Sequence, residues 1–159
     1  MTQDLELLET LRLTHNRIKS LPEDISMLSV LRRLALSNNE LGSLPRDIGG
    51  MSALSELLLD SNSLTTLPPA IGNLTELKCC ALDSNRLSTL PPEICGLTAL
   101  TELWLHENHL GALPESVGDL TSLTLLTLSN NELTSMPAGI TRLQVCCKFS
   151  FVSRVLIVP

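Results

Sequence analysis

The sequence predicts a solenoid of the α/β class, in which one short unit is copied along the chain and each copy packs on the next. Asparagine occurs at residues 16, 39, 62, 85, 108 and 131, so each interval is 23 residues. Leucines recur at the same places around each asparagine, and a proline closes every unit. Hydrophobic residues make up 43% of the chain but aromatics only 2%, which indicates a uniform core of copied units.

Each unit divides into a strand and a return. Around Leu34-Ala35-Leu36 the apolar residues alternate at period two, which predicts a short strand with one buried face. Proline fixes its own φ and lacks an N–H, so neither a strand nor a helix passes smoothly through Pro45. The following residues, 45–50, are too few for more than one turn of helix. We therefore expect a helical or irregular return after each strand.

The repeats define the domain organisation. Six units of 23 residues begin at residue 5 and end at residue 142, which predicts one repeat domain over residues 1–142. Residues 143–159 depart from the pattern, because Arg154 stands where the next asparagine belongs. We expect this segment to be a divergent tail or a partial seventh repeat, since a terminal unit is often atypical.

The asparagine column has a structural explanation. A polar side chain inside an apolar framework is costly unless it is hydrogen-bonded. An amide offers donors and an acceptor together, so it can serve backbone groups of its own coil and of the adjacent coil. We predict this role for Asn16, Asn39, Asn62, Asn85, Asn108 and Asn131.

The pattern LxxLxLxxNxLxxLPxxIxxL over residues 5–142 resembles the leucine-rich-repeat family. The 23-residue form with Leu-Pro is similar to the intracellular branch, which includes Ras-binding scaffold proteins, the plant Ras-group proteins and the Scribble and Erbin polarity scaffolds. This resemblance implies an arc with a parallel β-sheet on its concave face, short helical or irregular convex returns, and protein binding on the concave side. It also suggests a small GTPase or a phosphatase as partner.

The variable residues around the strands predict a bipolar concave face. Units one and two carry three bases against one acid, a balance of +2, whereas units three to six carry five acids against one lysine, a balance of −4. The acidic half also holds the only tryptophan. We predict that a protein partner with a basic surface contacts this half through Glu56, Leu58, Asp60, Asp83, Glu102, Trp104, His106 and Glu107.

Trp104 has two interpretations. It is a candidate interface anchor, since binding hot spots favour Trp, Tyr and Arg. Leu58 would lie roughly 10 Å away, two strands along the sheet, so one partner element would touch both side chains. The alternative is that Trp104 fills space over Ala81 and that the acids form a solvated face.

Composition limits the class of partner and the compartment. A net charge of −6 disfavours nucleic acids and anionic membranes. The acidic start of the chain is unlike a signal peptide, and no apolar run is long enough to span a bilayer. Five cysteines, partly in adjacent pairs, are not a disulfide framework. We therefore expect a cytoplasmic protein.

The sequence offers no catalytic or metal-binding pattern. His106 and His109 are three residues apart, whereas the zinc-protease motif needs two histidines four apart on a helix. Adjacent cysteines lack the two-residue gap of zinc or redox motifs, and Cys80 occupies a core leucine position. No glycine-rich phosphate loop or Ser-His-Asp arrangement is evident. We expect no enzyme activity, cofactor or metal, and therefore a protein-binding scaffold or adaptor, with a role in intracellular signalling. The alternative is the recognition arm or a fragment of a larger signalling enzyme, such as a kinase or an adenylate cyclase.

Overall fold

A computed structural model describes residues 7–143 and the backbone of residues 148–150. Its sheet has seven parallel strands in sequence order. This architecture confirms the predicted α/β solenoid with a parallel sheet. The strands β1 to β7 are Thr10–Arg12, Arg33–Ala35, Glu56–Leu58, Cys79–Ala81, Glu102–Trp104, Leu125–Thr127 and Lys148–Ser150.

The pairing register follows the 23-residue repeat. Leu34 lies opposite Leu57, which lies opposite Cys80, and all three side chains are fully buried. Cys80 therefore packs as one more core residue, as its position in the repeat predicted. Residues 33, 35, 56, 58 and their equivalents point to the other face of the sheet, because strand side chains alternate. This second face is the concave face.

The returns are 3-10 helices of three to five residues, so the prediction of short helical returns is confirmed. Most of them begin directly after the repeat proline, whose backbone is extended with φ near −67° at Pro22, Pro91 and Pro114. The prolines therefore set the direction in which each return leaves the sheet. The six helices are Glu23–Met27, Ile48–Gly50, Pro69–Asn73, Pro92–Gly96, Glu115–Asp119 and Ala138–Arg142.

Glycines allow these returns to stack backbone on backbone. A Cβ added to Gly72 would overlap the carbonyl oxygen of Glu93 in the next return, and one added to Gly118 would overlap that of Gly139. Glycine recurs near the end of five of the six units, at Gly49, Gly72, Gly96, Gly118 and Gly139, and this recurrence is the sequence signal for the close stacking. The convex side is thus packed closely enough that several positions exclude any side chain.

The asparagines join neighbouring coils. Asn85 Nδ2 donates to the carbonyl oxygen of Leu59 in the preceding coil at 2.9 Å and to that of Leu82 in its own coil at 3.0 Å. Its Oδ1 accepts the backbone N–H of Leu64 at 2.9 Å. One amide therefore satisfies both donors and acceptors that the sheet leaves unpaired where each strand ends.

The ends of the column depart from the expectation of burial. Asn16 is exposed and donates only within its own coil, to Leu13 and Thr14, because no described coil precedes it. Asn131 bonds to the preceding coil through the carbonyl of Leu105 but is only half-buried. The members that are both buried and bonded across coils are Asn39, Asn62, Asn85 and Asn108.

A last strand extends the sheet beyond the sixth unit. In β7, Phe149 is in register with Leu126 of β6. Arg154, which distinguishes the seventh unit from the others, lies outside the described residues. The division into residues 1–142 and residues 143–159 stays a prediction.

Candidate functional site

The parallel register arranges the concave side chains in rows that run across the strands. The first row is Arg33, Glu56, Cys79, Glu102 and Leu125. The middle row is Ala35, Leu58, Ala81, Trp104 and Thr127. A third row, at the ends of the strands, holds Ser37, Asp60, Asp83, His106 and Ser129. Seven of the eight predicted contact residues lie in these rows, and Glu107 follows the third.

The first row is organised by an ion pair and an indole hydrogen bond. Arg33 donates to the carboxylate of Glu56, which joins the basic and acidic halves of the face. Trp104 Nε1 donates to Glu102 Oε2 at 3.3 Å, so the indole is held in one orientation. The charge balance predicted from the sequence is therefore partly cancelled at this boundary, because one of the three bases is paired with one of the five acids.

Cys79 lies between these two pairs. Its Sγ is 3.9 Å from Glu102 Oε2. Burial, together with the negative charges of Glu102 and Glu56, raises the pKa of the Cys79 thiol to about 11. The thiolate is the reactive form of cysteine, so Cys79 is a poor nucleophile at neutral pH.

The side chains of the middle row are less exposed than the alternating pattern of the strands predicts. Ala35 and Thr127 are buried on the concave side. Leu58, Ala81 and Trp104 remain partly accessible. Trp104 is half-buried, so its ring packs on the sheet and presents only part of its surface.

The third row is a chain of polar contacts. Ser37 Oγ donates to Asp60 Oδ1. His106 Nε2 lies 3.5 Å from Asp83 Oδ2, and its ring meets Trp104 edge to face with centroids 6.3 Å apart. Burial raises the pKa of the Asp83 carboxyl; His106 opposes this effect, whereas Asp60 and Glu107 add to it. Asp83 therefore carries a charge that its surroundings only partly compensate.

Asp83, His106 and Thr127 form a line that the sequence did not suggest. The His106 Nδ1 atom is 3.3 Å from Thr127 Oγ1, so the three groups stand in the order of a catalytic triad. Thr127 is buried, however, and its hydroxyl oxygen already accepts the backbone N–H of Leu105 at 3.2 Å. A nucleophile needs an accessible oxygen, so this line serves to orient the His106 ring.

Glu107 borders the face from a strained backbone position. Its φ is 55°, in the left-handed region that non-glycine residues rarely adopt. Its carboxylate accepts the Ser84 hydroxyl at 2.9 Å. The residue before each asparagine of the column has the same left-handed conformation. None of the six is a glycine, so their residue types did not indicate it. They are His15, Asn38, Ser61, Ser84, Glu107 and Asn130.

Two further observations concern the described residues only. They contain no group of three His, Cys, Asp or Glu side chains placed to hold a metal ion. None of the helices within residues 7–143 is long and apolar enough to cross a membrane.

The chain is similar to known repeat proteins. The family description "Leucine-rich repeat region" matches residues 23–108, and "Leucine Rich Repeat" matches residues 7–28. No curated protein matches the chain closely enough to count as a relative.

Solved structures match over nearly the whole chain. A leucine-rich-repeat protein of Leptospira interrogans is 35% identical over 98% of this chain, with a TM-score of 0.77. The ectodomain of the Arabidopsis thaliana receptor kinase GASSHO1/SCHENGEN3, in complex with CASPARIAN STRIP INTEGRITY FACTOR 2, is 33% identical over 94% with a TM-score of 0.81. The plant peptide hormone receptor RGFR1, in complex with RGF2, is 31% identical over 92% with a TM-score of 0.83.

This chain spans 46%, 18% and 24% of those three chains, so it corresponds to part of each. The family match covers more than half of the sequence, and the strand, asparagine and proline of each unit account for it in physical terms. The chain therefore belongs to the leucine-rich-repeat family.

Proposed function

We propose that this chain is a protein-binding scaffold or adaptor that acts in cytoplasmic signalling through the acidic half of its concave face. The contact residues are Glu56, Leu58, Asp60, Asp83, Glu102, Trp104, His106 and Glu107. The observation that carries the proposal is Trp104, a large side chain held by Glu102 on an open sheet face, with part of its surface accessible. Partly accessible aromatic side chains that are already ordered bind partners at a low entropic cost.

The charges indicate the kind of partner. Glu56 is neutralised by Arg33, but Asp60, Asp83, Glu102 and Glu107 leave an acidic surface beside Trp104. A partner with a basic surface is therefore favoured, because opposite charges speed up encounter. A small GTPase or a phosphatase follows only from the resemblance to intracellular Ras-binding repeat proteins. Two similar structures support binding of a protein or peptide as the general role, since both were solved as complexes.

The test is capture of a partner by the full chain, followed by affinity measurements on variants. Trp104→Ala should weaken binding by about 2 kcal/mol or more, as expected when a hot-spot aromatic is removed. Asp60→Lys should weaken it further, chiefly by slowing association, because it reverses a steering charge.

Arg46→Glu supplies the contrast. Arg46 is exposed and lines a groove of about 450 Å³ between the second and third units, together with Leu44, Thr66 and Pro69. This groove is the competing surface, and Arg46→Glu should leave affinity unchanged. Each variant must first show an unaltered melting transition. If Arg46→Glu abolishes binding while folded Trp104→Ala binds normally, the groove beside Arg46 and not the concave face is the site.

A second candidate function rests on a different observation. One similar structure is the ectodomain of a receptor kinase, and this chain spans only 18% of it. The chain would then be the recognition arm of a larger signalling enzyme, such as a kinase or an adenylate cyclase. Sequencing the encoding transcript on both sides of residues 1–159 tests this: a continuous reading frame into a catalytic domain supports the arm, and stop codons on both sides support the free-standing adaptor.

A further inference from the structure

The middle row of the concave face contains a gap in the acidic half. Leu58 and Trp104 stand on either side of Ala81, one strand away in each direction. Adjacent strands are about 4.8 Å apart, so the two large side chains begin roughly 10 Å from each other. Ala81 fills the space between them with a single methyl group and remains partly accessible. We call this depression the Ala81 notch.

Carboxylates lie at both ends of the Ala81 notch. Asp83 follows Ala81 by two residues, and Glu102 lies opposite Cys79, which precedes Ala81 by two. Residues two apart on a strand point to the same face, so both carboxylates border the notch. His106 lies close to Asp83, but the negative charges of Asp60 and Glu107 repel the Asp83 carboxylate. The notch thus has an apolar floor, one large wall on each side and incompletely balanced negative charge at its ends.

We propose that the Ala81 notch accepts a lysine or arginine side chain of the partner, with its alkyl stem between Leu58 and Trp104 and its cationic head at Asp83 or Glu102. This inference rests on the proposed function and specifies the chemistry of the group that is recognised. A long basic side chain suits the site because its methylene groups pack on apolar surface while its charge stays near water. A cation beside an indole gains a further attraction. An acidic side chain would meet the like charges of Asp83 and Glu102.

The experiment selects peptides without assuming a partner. A library of displayed random 12-residue peptides is panned on the full chain, after depletion on the Trp104→Ala chain. The expected result is enrichment of peptides with lysine or arginine next to apolar residues. Replacing that basic residue by norleucine, which keeps the stem and removes the charge, should weaken binding about tenfold. Trp104 is the only tryptophan, so its fluorescence reports binding at the notch directly.

Variants of the chain locate the contact. Ala81→Leu fills the notch and should abolish binding of the selected peptides, whereas Ala112→Leu, at an exposed loop position, should not. Glu102→Gln should weaken binding severalfold because it removes one charge and keeps an acceptor for the indole. Glu93→Gln makes the same change on a convex 3-10 helix and should have no effect.

The outcomes separate this inference from the proposed function. Peptides that depend on Trp104 but carry no basic residue would overturn the inference and leave the concave face as the binding site. Enrichment of acidic peptides, or no peptide surviving depletion, would also overturn it. Full binding of the selected peptides to Ala81→Leu would place the basic residue elsewhere and overturn it as well. The proposed function is decided separately, by the captured partner and its response to Trp104→Ala.

Discussion

Asn85→Asp tests how much one bridging amide stabilises the solenoid. The substitution keeps the size of the side chain and the acceptor for the Leu64 N–H, but it removes the donors to the Leu59 and Leu82 carbonyl oxygens. Each oxygen keeps a second donor, Asn62 Nδ2 for Leu59 and Asn108 Nδ2 for Leu82, so each lost bond costs about 1 kcal/mol. The new carboxylate also lies beside two carbonyl oxygens of like polarity. We expect the free energy of unfolding to fall by about 2 kcal/mol or more.

The matched control is Asn16→Asp, the same change at an exposed position. Asn16 bonds only within its own coil, so we expect a loss below about 1 kcal/mol. Chemical denaturation of both variants beside the unaltered chain measures the difference. Equal shifts of the two midpoints would refute the reasoning, because burial and the bonds between coils would then contribute nothing.

The pH dependence of Asn85→Asp adds a second check. Burial raises the pKa of an introduced carboxyl, and its protonated form can donate one hydrogen bond to a carbonyl oxygen. A carboxyl whose pKa is higher in the folded state binds more protons there, so the variant should recover part of its stability as pH falls from 7 toward the ordinary range of aspartate. Asn16→Asp should show no such recovery. A loss for Asn85→Asp that is constant between pH 7 and pH 5 would contradict a buried location.

Two further predictions concern packing and reactivity. Gly118→Ala should lower the free energy of unfolding by about 2 kcal/mol, because its Cβ would overlap the Gly139 carbonyl oxygen. Gly111→Ala should not, because no atom lies within 4 Å of the new Cβ. Equal melting temperatures of the two variants would contradict the close packing of the convex returns. Cys79, whose pKa is raised to about 11, should react with iodoacetamide at pH 8 about a hundredfold more slowly than a cysteine in a short peptide. Mass spectrometry measures the labelling rate of each cysteine separately. Glu102→Gln should increase the labelling rate of Cys79, because it removes a nearby negative charge. Labelling of Cys79 at the peptide rate would contradict the raised pKa.

The half-buried state of Trp104 reconciles its two interpretations from sequence. Its edge is fixed by Glu102 and lies near His106, so the ring does fill space on the sheet. Part of its surface nevertheless stays accessible, and its neighbour on β4, Ala81, carries only a methyl group. Space-filling and partner binding are therefore compatible, because an anchor that packs on one side is already ordered for contact on the other.

The sequence by itself determined the repeat, the solenoid and the orientation of most side chains. A constant period of 23 residues makes each coil pack on a neighbour of the same shape, and alternation around Leu34 and Leu36 separates the core from the concave face. The 23-residue period also predicts that Leu58 and Trp104 lie two strands apart in one row, which the strand register confirms. Local sequence pattern and global packing agree in such a chain, so the period alone is nearly enough to predict the fold.

Only the tertiary structure decided which groups pair across the coils and how deeply each is covered. Residues 23 apart are neighbours in every row, but the period does not say that Arg33 turns to Glu56 or that His106 lies between Asp83 and Thr127. Those choices depend on side-chain rotamers and on the space that adjacent coils leave. The exposure of Asn16 also depends on tertiary structure, because a residue is buried by the coils packed on either side of it and not by its position within the repeat.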